Sequence, residues 1–265
     1  VREAHLAGTS GGVDFWADEY VLDAQIAEYP KPVVAVMDGI VMGGGLGISM
    51  FATARWATER SRIAMPETII GFFPDVAATY LLSRAPGETG THVALTGTTI
   101  TGADAVALGL ADAVVDSARL PDLLAGIAAG GPVEPVPDDA TTKGDTLTAA
   151  RGWIDECYAG DDAAAIVERL RAHDAPEARA AAEEISLRSP LSVAVTLEAL
   201  RRAATAGSVR EVLETDTVVA RGLLQRADFA EGVRAQLVDK DRSPRWEHES
   251  VSDVTRAEVL AVFSG

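Results

Sequence analysis

Phe15, Val21, Leu22 and Ile26 recur at roughly helical spacing, and the Tyr29-Pro30 step closes the run, which predicts a helix over residues 14–29. Residues 32–37 (PVVAVM) form a short β-branched run, expected to be a buried strand. From Asp38 onward the order dissolves into glycine. The run Asp38-Gly39-Ile40-Val41-Met42-Gly43-Gly44-Gly45-Leu46-Gly47 reads as a loop entering a helix that ends near Ala54. Residues 55–58 (RWAT) and 62–65 (RIAM) predict two further short strands. A loop and then a helix are expected over residues 66–84. A helix end near residues 94–97, a turn, and a helix capped by Thr101 and running to Gly109 follow. Residues 112–115 read as one more strand.

The pattern changes at Gly130. Residues 130–145 hold three prolines, three glycines and four acids, the make-up of a linker or surface loop. Beyond them the periodicity is helical over residues 147–158, 163–172 and 176–187. Ser189-Pro190 supplies an N-cap and a first-turn proline for a helix over residues 191–206, and Gly207 ends it. Ser208 and Glu211 have capping-box spacing and open a helix over residues 209–226. The expected organisation is thus a mixed α/β core over residues 1–129, a linker over 130–146 and a helical region over 147–265. No repeat of solenoid period is present.

Composition narrows the function classes. The chain has 265 residues, of which 48% are hydrophobic, so it can bury a core. Its net charge of −17 argues against nucleic acid and against an anionic membrane surface as partners. The uncharged run over residues 39–54 is shorter than the roughly 20 residues a membrane span needs. No signal-like apolar segment follows the charged first residues, so a cytoplasmic location is expected. A single cysteine, Cys157, fits a reducing compartment. The four histidines have no metal-ligand spacing, so no metal is expected.

Two segments carry candidate chemistry. Gly43-Gly44-Gly45-Leu46-Gly47, between a strand and a helix, can present backbone N–H groups to an anion or a developing oxyanion. The same glycines would equally serve a tight turn that lets a helix pack close to a sheet. The spacing is neither that of a dinucleotide-binding fingerprint nor that of a P-loop. Glu67, in Met65-Pro66-Glu67-Thr68, and Asp75, in Gly71-Phe72-Phe73-Pro74-Asp75, are acids amid apolar residues. Burial disfavours their charged form and would suit them to proton transfer. Solvated loop acids are the alternative. No G-x-S-x-G is present, and Cys157 has no histidine near it in sequence, so a nucleophilic triad is not supported.

Taken together these segments resemble the crotonase (enoyl-CoA hydratase/isomerase) superfamily. The resemblance rests on Lys31-Pro32-Val33-Val34-Ala35-Val36, Gly39-Ile40-Val41-Met42-Gly43-Gly44-Gly45, Ala57-Thr58-Glu59 and Ala64-Met65-Pro66-Glu67-Thr68. Leu95-Thr96-Gly97 and Ala107-Leu108-Gly109-Leu110-Ala111 fit as well. Ser189-Pro190-Leu191-Ser192, Phe229-Ala230-Glu231-Gly232-Val233-Arg234-Ala235 and residues 239–246 look like its 3-hydroxyisobutyryl-CoA hydrolase branch. The resemblance implies a spiral core of short strands and helices followed by a helical region. It also implies that an N-terminal part of that fold, including a second oxyanion donor, precedes Val1.

By the same resemblance, Gly44 supplies an oxyanion N–H, flanked by Gly43 and Gly45. Glu67 is the acid that attacks or activates water, Asp75 is a second acid near the substrate hydroxyl, and Glu19 contacts substrate. Gly47 stands where hydratases carry a further glutamate, which points to hydrolysis of a short 3-hydroxyacyl-CoA thioester. An enoyl-CoA hydratase or isomerase, or a non-catalytic acyl-CoA-binding protein, is the alternative. Coenzyme A is then part of the substrate and no cofactor is implied. Lys31, Arg55, Lys240 and Arg242 are the cations available to its phosphates. The family also implies a homo-oligomer, a trimer or hexamer or else a dimer. Ala77-Ala78-Thr79 departs from the glycine-rich turn usual there.

Overall fold

The structure is a computed structural model, and it describes residues 11–133 and 146–264, without the side chains of residues 11–14. Most of the expected linker, residues 134–145, lies outside the described residues, as do residues 1–10. The chain is a mixed α/β fold. Among the described residues it opens on α1 (Gly11–Ala27), β1 (Val34–Met37), β2 (Ile40–Met42) and α2 (Gly44–Met50). Then come β3 (Ala54–Thr58), β4 (Arg62–Ala64), a 3-10 turn (Glu67–Ile70), α3 (Ala78–Leu82), α4 (Thr89–Thr96), α5 (Gly102–Ala107), β5 (Ala113–Val115) and α6 (Leu120–Ala128).

Two small parallel sheets share these strands. β1, β3 and β5 form one, with Val34 beside Ala54 and Trp56 beside Ala113. β2 and β4 form the other, with Val41 beside Ile63. Each pass of the chain lays one strand in each sheet, β1 then β2, β3 then β4, with α2 as the crossover that parallel pairing requires. Trp56, Ala113 and Val115 pack with Leu120, Leu123 and Ile127 of α6 on one side of the first sheet. The main core, with Met37, Leu46, Met50, Ala57 and Ile63, lies on the other.

The second half is helical. α7 (Leu147–Cys157), α8 (Ala163–Ala172), α9 (Pro176–Ser186), α10 (Pro190–Ala203) and α11 (Val209–Leu224) follow the apolar periodicity closely. α12 (Ala227–Val233) and α13 (Arg256–Val262) complete it. The caps explain the starts: Thr101 and Asp104 form a reciprocal box, and Ser189 accepts from Ser192 N. At Ser208 the reciprocity shifts by one residue. Its hydroxyl accepts from Glu211 N, but the Glu211 carboxylate reaches back to Gly207 N at 2.8 Å.

Two parts of the pattern are resolved differently in three dimensions. β2 lies inside the stretch read as a loop; three residues between Gly39 and Gly43 are too few for periodicity to register. The larger difference is the face of α1. Phe15, Val21 and Leu22 are 56%, 57% and 46% exposed, while Tyr20, Asp23 and Ala24 are buried. The inward stripe is Trp16, Tyr20, Asp23 and Ala24, a second helical stripe anchored by aromatic area. Trp16 stacks on Phe72 with ring centroids 5.1 Å apart and meets Phe229 edge-on at 5.9 Å.

The helical half grips the segment that follows β4. Ser189 N donates to Thr68 O at 3.1 Å, and Ser189 Oγ donates to the buried Asp228 carboxylate at 2.6 Å. The backbones also touch. A Cβ on Gly232 would collide with the Ile70 backbone, so α12 lies directly against the 3-10 turn. Gly232→Ala is expected to destabilise the chain by about 1–3 kcal/mol through overpacking. Thermal denaturation checks this, and an unchanged midpoint would contradict the close approach.

Candidate active site

Gly43 begins the site with φ at 52°, a left-handed conformation that glycine adopts without strain. It turns the chain from β2 into α2, and its carbonyl accepts the Leu46 and Gly47 N–H groups, where the helical ladder begins. Four side chains from elsewhere in the chain rest on Gly43, Gly44 and Gly47. A Cβ on Gly43 would stand 3.1 Å from Glu67 Oε1. A Cβ on Gly44 would fall on Glu19 Oε1. A Cβ on Gly47 would meet Asp23 Oδ1 at 3.0 Å and Val76 Cβ at 2.8 Å. Position 47 is therefore closed, and a glutamate there has no room without displacing Val76 and Asp23.

Glu67 opens the 3-10 turn, pinned at its end by Phe72 N donating to Glu67 O at 3.0 Å. Its side chain is buried, and Oε2 has no hydrogen-bond partner among the described residues. Burial first, then the neighbouring Asp75 and Glu19 charges, push its pKa well above the ordinary 4.5. Asp75 is held by two donors, the Tyr20 hydroxyl at 2.8 Å and the Trp16 indole. Burial nonetheless dominates and raises its pKa to about 7. Tyr20 is raised well above 10, chiefly by burial, so its phenol stays protonated and donates. Glu19, half-buried over Gly44, is raised by burial. This matters because an ionised carboxylate there would oppose an oxyanion on the Gly44 N–H, whereas a neutral carboxyl would not.

The structure thus brings together Glu19, Gly43, Gly44, Glu67 and Asp75, all expected from the sequence. A Cβ on Gly45, inside the first turn of α2, would meet only Val41 Cγ1, at 3.8 Å, among the described residues. The turn after Asp75 is unusual: Val76 and Ala77 have φ of 52° and 58°. Left-handed backbone costs a side-chain-bearing residue on the order of 1–3 kcal/mol. Two further acids belong to the cluster and went unnoticed in the sequence. Asp23 is fully buried with neither oxygen partnered among the described residues. Asp216, on α11, is buried too and accepts the Ala77 N–H at 2.7 Å. The available signal was spacing: Trp16, Glu19, Tyr20 and Asp23 share one face of α1. Among the described residues no group of histidine, cysteine, aspartate and glutamate could hold a metal ion.

The cations divide clearly. Arg55 is committed to Asp112, to Met50 O and to Gly109 O. Arg242, with φ at 54°, lines a cavity of about 490 Å³ together with Arg188, Trp246 and Ile69, the last from the Glu67 turn. No helix among the described residues is long and apolar enough to cross a membrane.

A parallel two-sheet core with acids gathered over a glycine-started crossover helix recurs among the relatives of this chain. The sequence matches the family model Enoyl-CoA hydratase/isomerase over residues 1–263, and the chain belongs to that family. It is 36% identical over 275 residues to the mitochondrial 3-hydroxyisobutyryl-CoA hydrolase of Rattus norvegicus, covering 99% of this chain and 71% of that protein. A crystal structure of a carnitinyl-CoA dehydratase from Mycobacterium thermoresistibile is 43% identical with a TM-score of 0.88, covering 99% of this chain and 76% of that one. An enoyl-CoA hydratase from Rhodobacter sphaeroides 2.4.1 is 39% identical with a TM-score of 0.91, covering 100% and 77%. The chain is thus a crotonase-superfamily enzyme.

The unpartnered Asp23 yields a stability prediction. An unfolded aspartate ionises near 3.8, while the buried Asp23, desolvated and facing Glu19 and Asp75, keeps its proton to about 7. Between those values the folded chain binds more protons than the unfolded one, so stability falls as pH rises. The contribution is fully present below 3.8 and lost through about 7. Asp23→Asn removes this loss. Its thermal midpoint should gain steadily on the wild type from about pH 4 to about pH 7. A gap that stays constant with pH would show that Asp23 is ionised in the fold.

Proposed function

We propose that this chain hydrolyses a short 3-hydroxyacyl-CoA thioester resembling 3-hydroxyisobutyryl-CoA. The observation that carries this is the closure of position 47 by Val76 and Asp23, with Glu67 and Glu19 over Gly43 and Gly44 and Asp75 close enough to Glu67 to raise its pKa. Addition of water across a double bond uses a second acid/base partner beside Glu67, and no side chain can stand at position 47 to provide one. The name of the rat relative supports the same substrate class.

In this mechanism the thioester oxygen lies on the Gly44 N–H. Glu67 either attacks the carbonyl carbon, forming a mixed anhydride as the CoA thiolate leaves, which water then cleaves to release the acid and restore the carboxylate, or it takes a proton from the water that attacks the carbonyl directly. Both routes need the ionised form of Glu67, whose Oε1 faces Gly43. The thiolate takes up a proton as CoA departs. Asp75, held by Tyr20 and Trp16, and Glu19 accept or donate to the substrate hydroxyl. Arg242, beside the cavity at the Glu67 turn, is better suited than Arg55 to a CoA phosphate, because Arg55 is already satisfied.

A second reading has its own support: the two similar solved structures are described as a dehydratase and a hydratase. Thiol release from 3-hydroxyisobutyryl-CoA, measured beside loss of crotonyl-CoA, decides between them. Dominant thiol release is expected; dominant crotonyl-CoA hydration would overturn the proposal. Glu67→Gln should lower thiol release by at least about 100-fold without lowering the thermal midpoint.

The pH profile offers a separate check. Glu67 and Asp75 titrate as a pair. Burial raises both, Asp75 to about 7, so kcat/KM should rise with pH through that region. A profile already flat from pH 5 would mean that neither acid is the titrating group.

A further inference from the structure

The chain bends sharply after Asp75, and the bend is made by residues that resist it. Val76 is β-branched and Ala77 carries a Cβ, yet both adopt left-handed backbone. Local contacts account for part of their retention. Ala78 N donates to Asp75 O at 2.8 Å, and the Val76 side chain is buried over Gly47. The remaining tie comes from far along the chain. Ala77 N–H donates to Asp216 Oδ2 at 2.7 Å, and Asp216 lies on α11, 139 residues away. α11 packs on α1, which carries Trp16 and Tyr20, and on α3, which follows the bend. One helix therefore braces the Asp75 turn from behind and its two donors from the side.

We propose that Asp216 is a positioning residue for Asp75: by accepting the Ala77 N–H it holds the left-handed turn that presents the Asp75 carboxyl to Tyr20 and the glycine run. This rests on the placement of Asp75 in the active site. Asp216 has no part in the chemistry itself. It is buried, and Asp75 and Asp23 face it, which pushes its pKa well above 3.8. A neutral carboxyl still accepts an N–H through its carbonyl oxygen, as an amide of the same shape does. The geometry thus asks for an acceptor at position 216 and not for a charge.

That distinction sets the test. Thiol release from 3-hydroxyisobutyryl-CoA is measured for the full chain and for Asp75→Asn, Asp216→Asn, Asp216→Ala and the double variant Asp216→Ala/Ala77→Gly. Asp216→Asn should stay within about threefold of wild-type kcat, because the acceptor is kept. Asp216→Ala should lose about 10- to 100-fold in kcat with KM little changed, as a misaimed group does. Glycine at 77 adopts left-handed backbone freely, so the double variant should recover most of that loss.

A fully active Asp216→Ala, an Asp216→Asn as impaired as Asp216→Ala, or no recovery in the double variant overturns the inference. The same holds if Asp216→Ala fails to fold and glycine at 77 does not restore folding. A fully active Asp75→Asn instead overturns the site assignment. Amide hydrogen exchange at Ala77 separates the two without relying on turnover. Its protection should drop at least about tenfold in Asp216→Ala and persist in Asp216→Asn. Unchanged protection in Asp216→Ala would sink the inference even if the substrate assignment holds.

Discussion

Three absent side chains, at Gly43, Gly44 and Gly47, are what the rest of the site depends on. Each glycine gives its space to a carboxyl group from elsewhere in the chain: Glu67, Glu19 and Asp23 respectively. Crowding acids in this way would be ruinous if all were ionised, because like charges in a low-dielectric setting repel strongly. Burial resolves the conflict by keeping protons on them. The raised pKa values of Glu19, Asp23, Glu67, Asp75 and Asp216 are therefore one property of one cluster. The cost is stability at neutral pH, and the gain is carboxyl groups that hold protons well above the ordinary carboxylate range, Asp23 and Asp75 to about 7.

The helical half of the chain stabilises that arrangement. Ser189 and Gly232 fix the Glu67 turn from one side, and Asp216 fixes the Asp75 turn from another. Trp16, Phe72 and Phe229 join α1, the acid-bearing loop and α12 through ring contacts. The two halves that the composition separates are thus interdependent at the site. Core glycines supply the floor, and C-terminal side chains hold the walls.

Much of this was visible in the residues alone. The strands after Pro32, Ala54 and Ser61, and the helices from Leu147 to Leu224, follow from β-branched runs, periodicity and caps. Glu67 and Asp75 stood out as acids in apolar company, and the glycine run stood out by itself. What stayed hidden was hidden for physical reasons. The face of α1 was misleading because two stripes compete on that helix, and the buried one mixes aromatic residues with acids. Asp216 sits in an ordinary amphipathic helix, and nothing local marks an acid whose partner is 139 residues away. β2 is too short to carry a pattern.

The closure at Gly47 has an evolutionary side. A single change that placed an acid there would push against the Val76 Cβ and the Asp23 carboxyl at once. Val76 is itself locked into left-handed backbone, so it has little freedom to retreat. An acid fits at this position only if both Val76 and Asp23 give way. The packing is asymmetric: glycine at 47 is accommodated as it stands, whereas an acid there needs compensating changes in two other side chains.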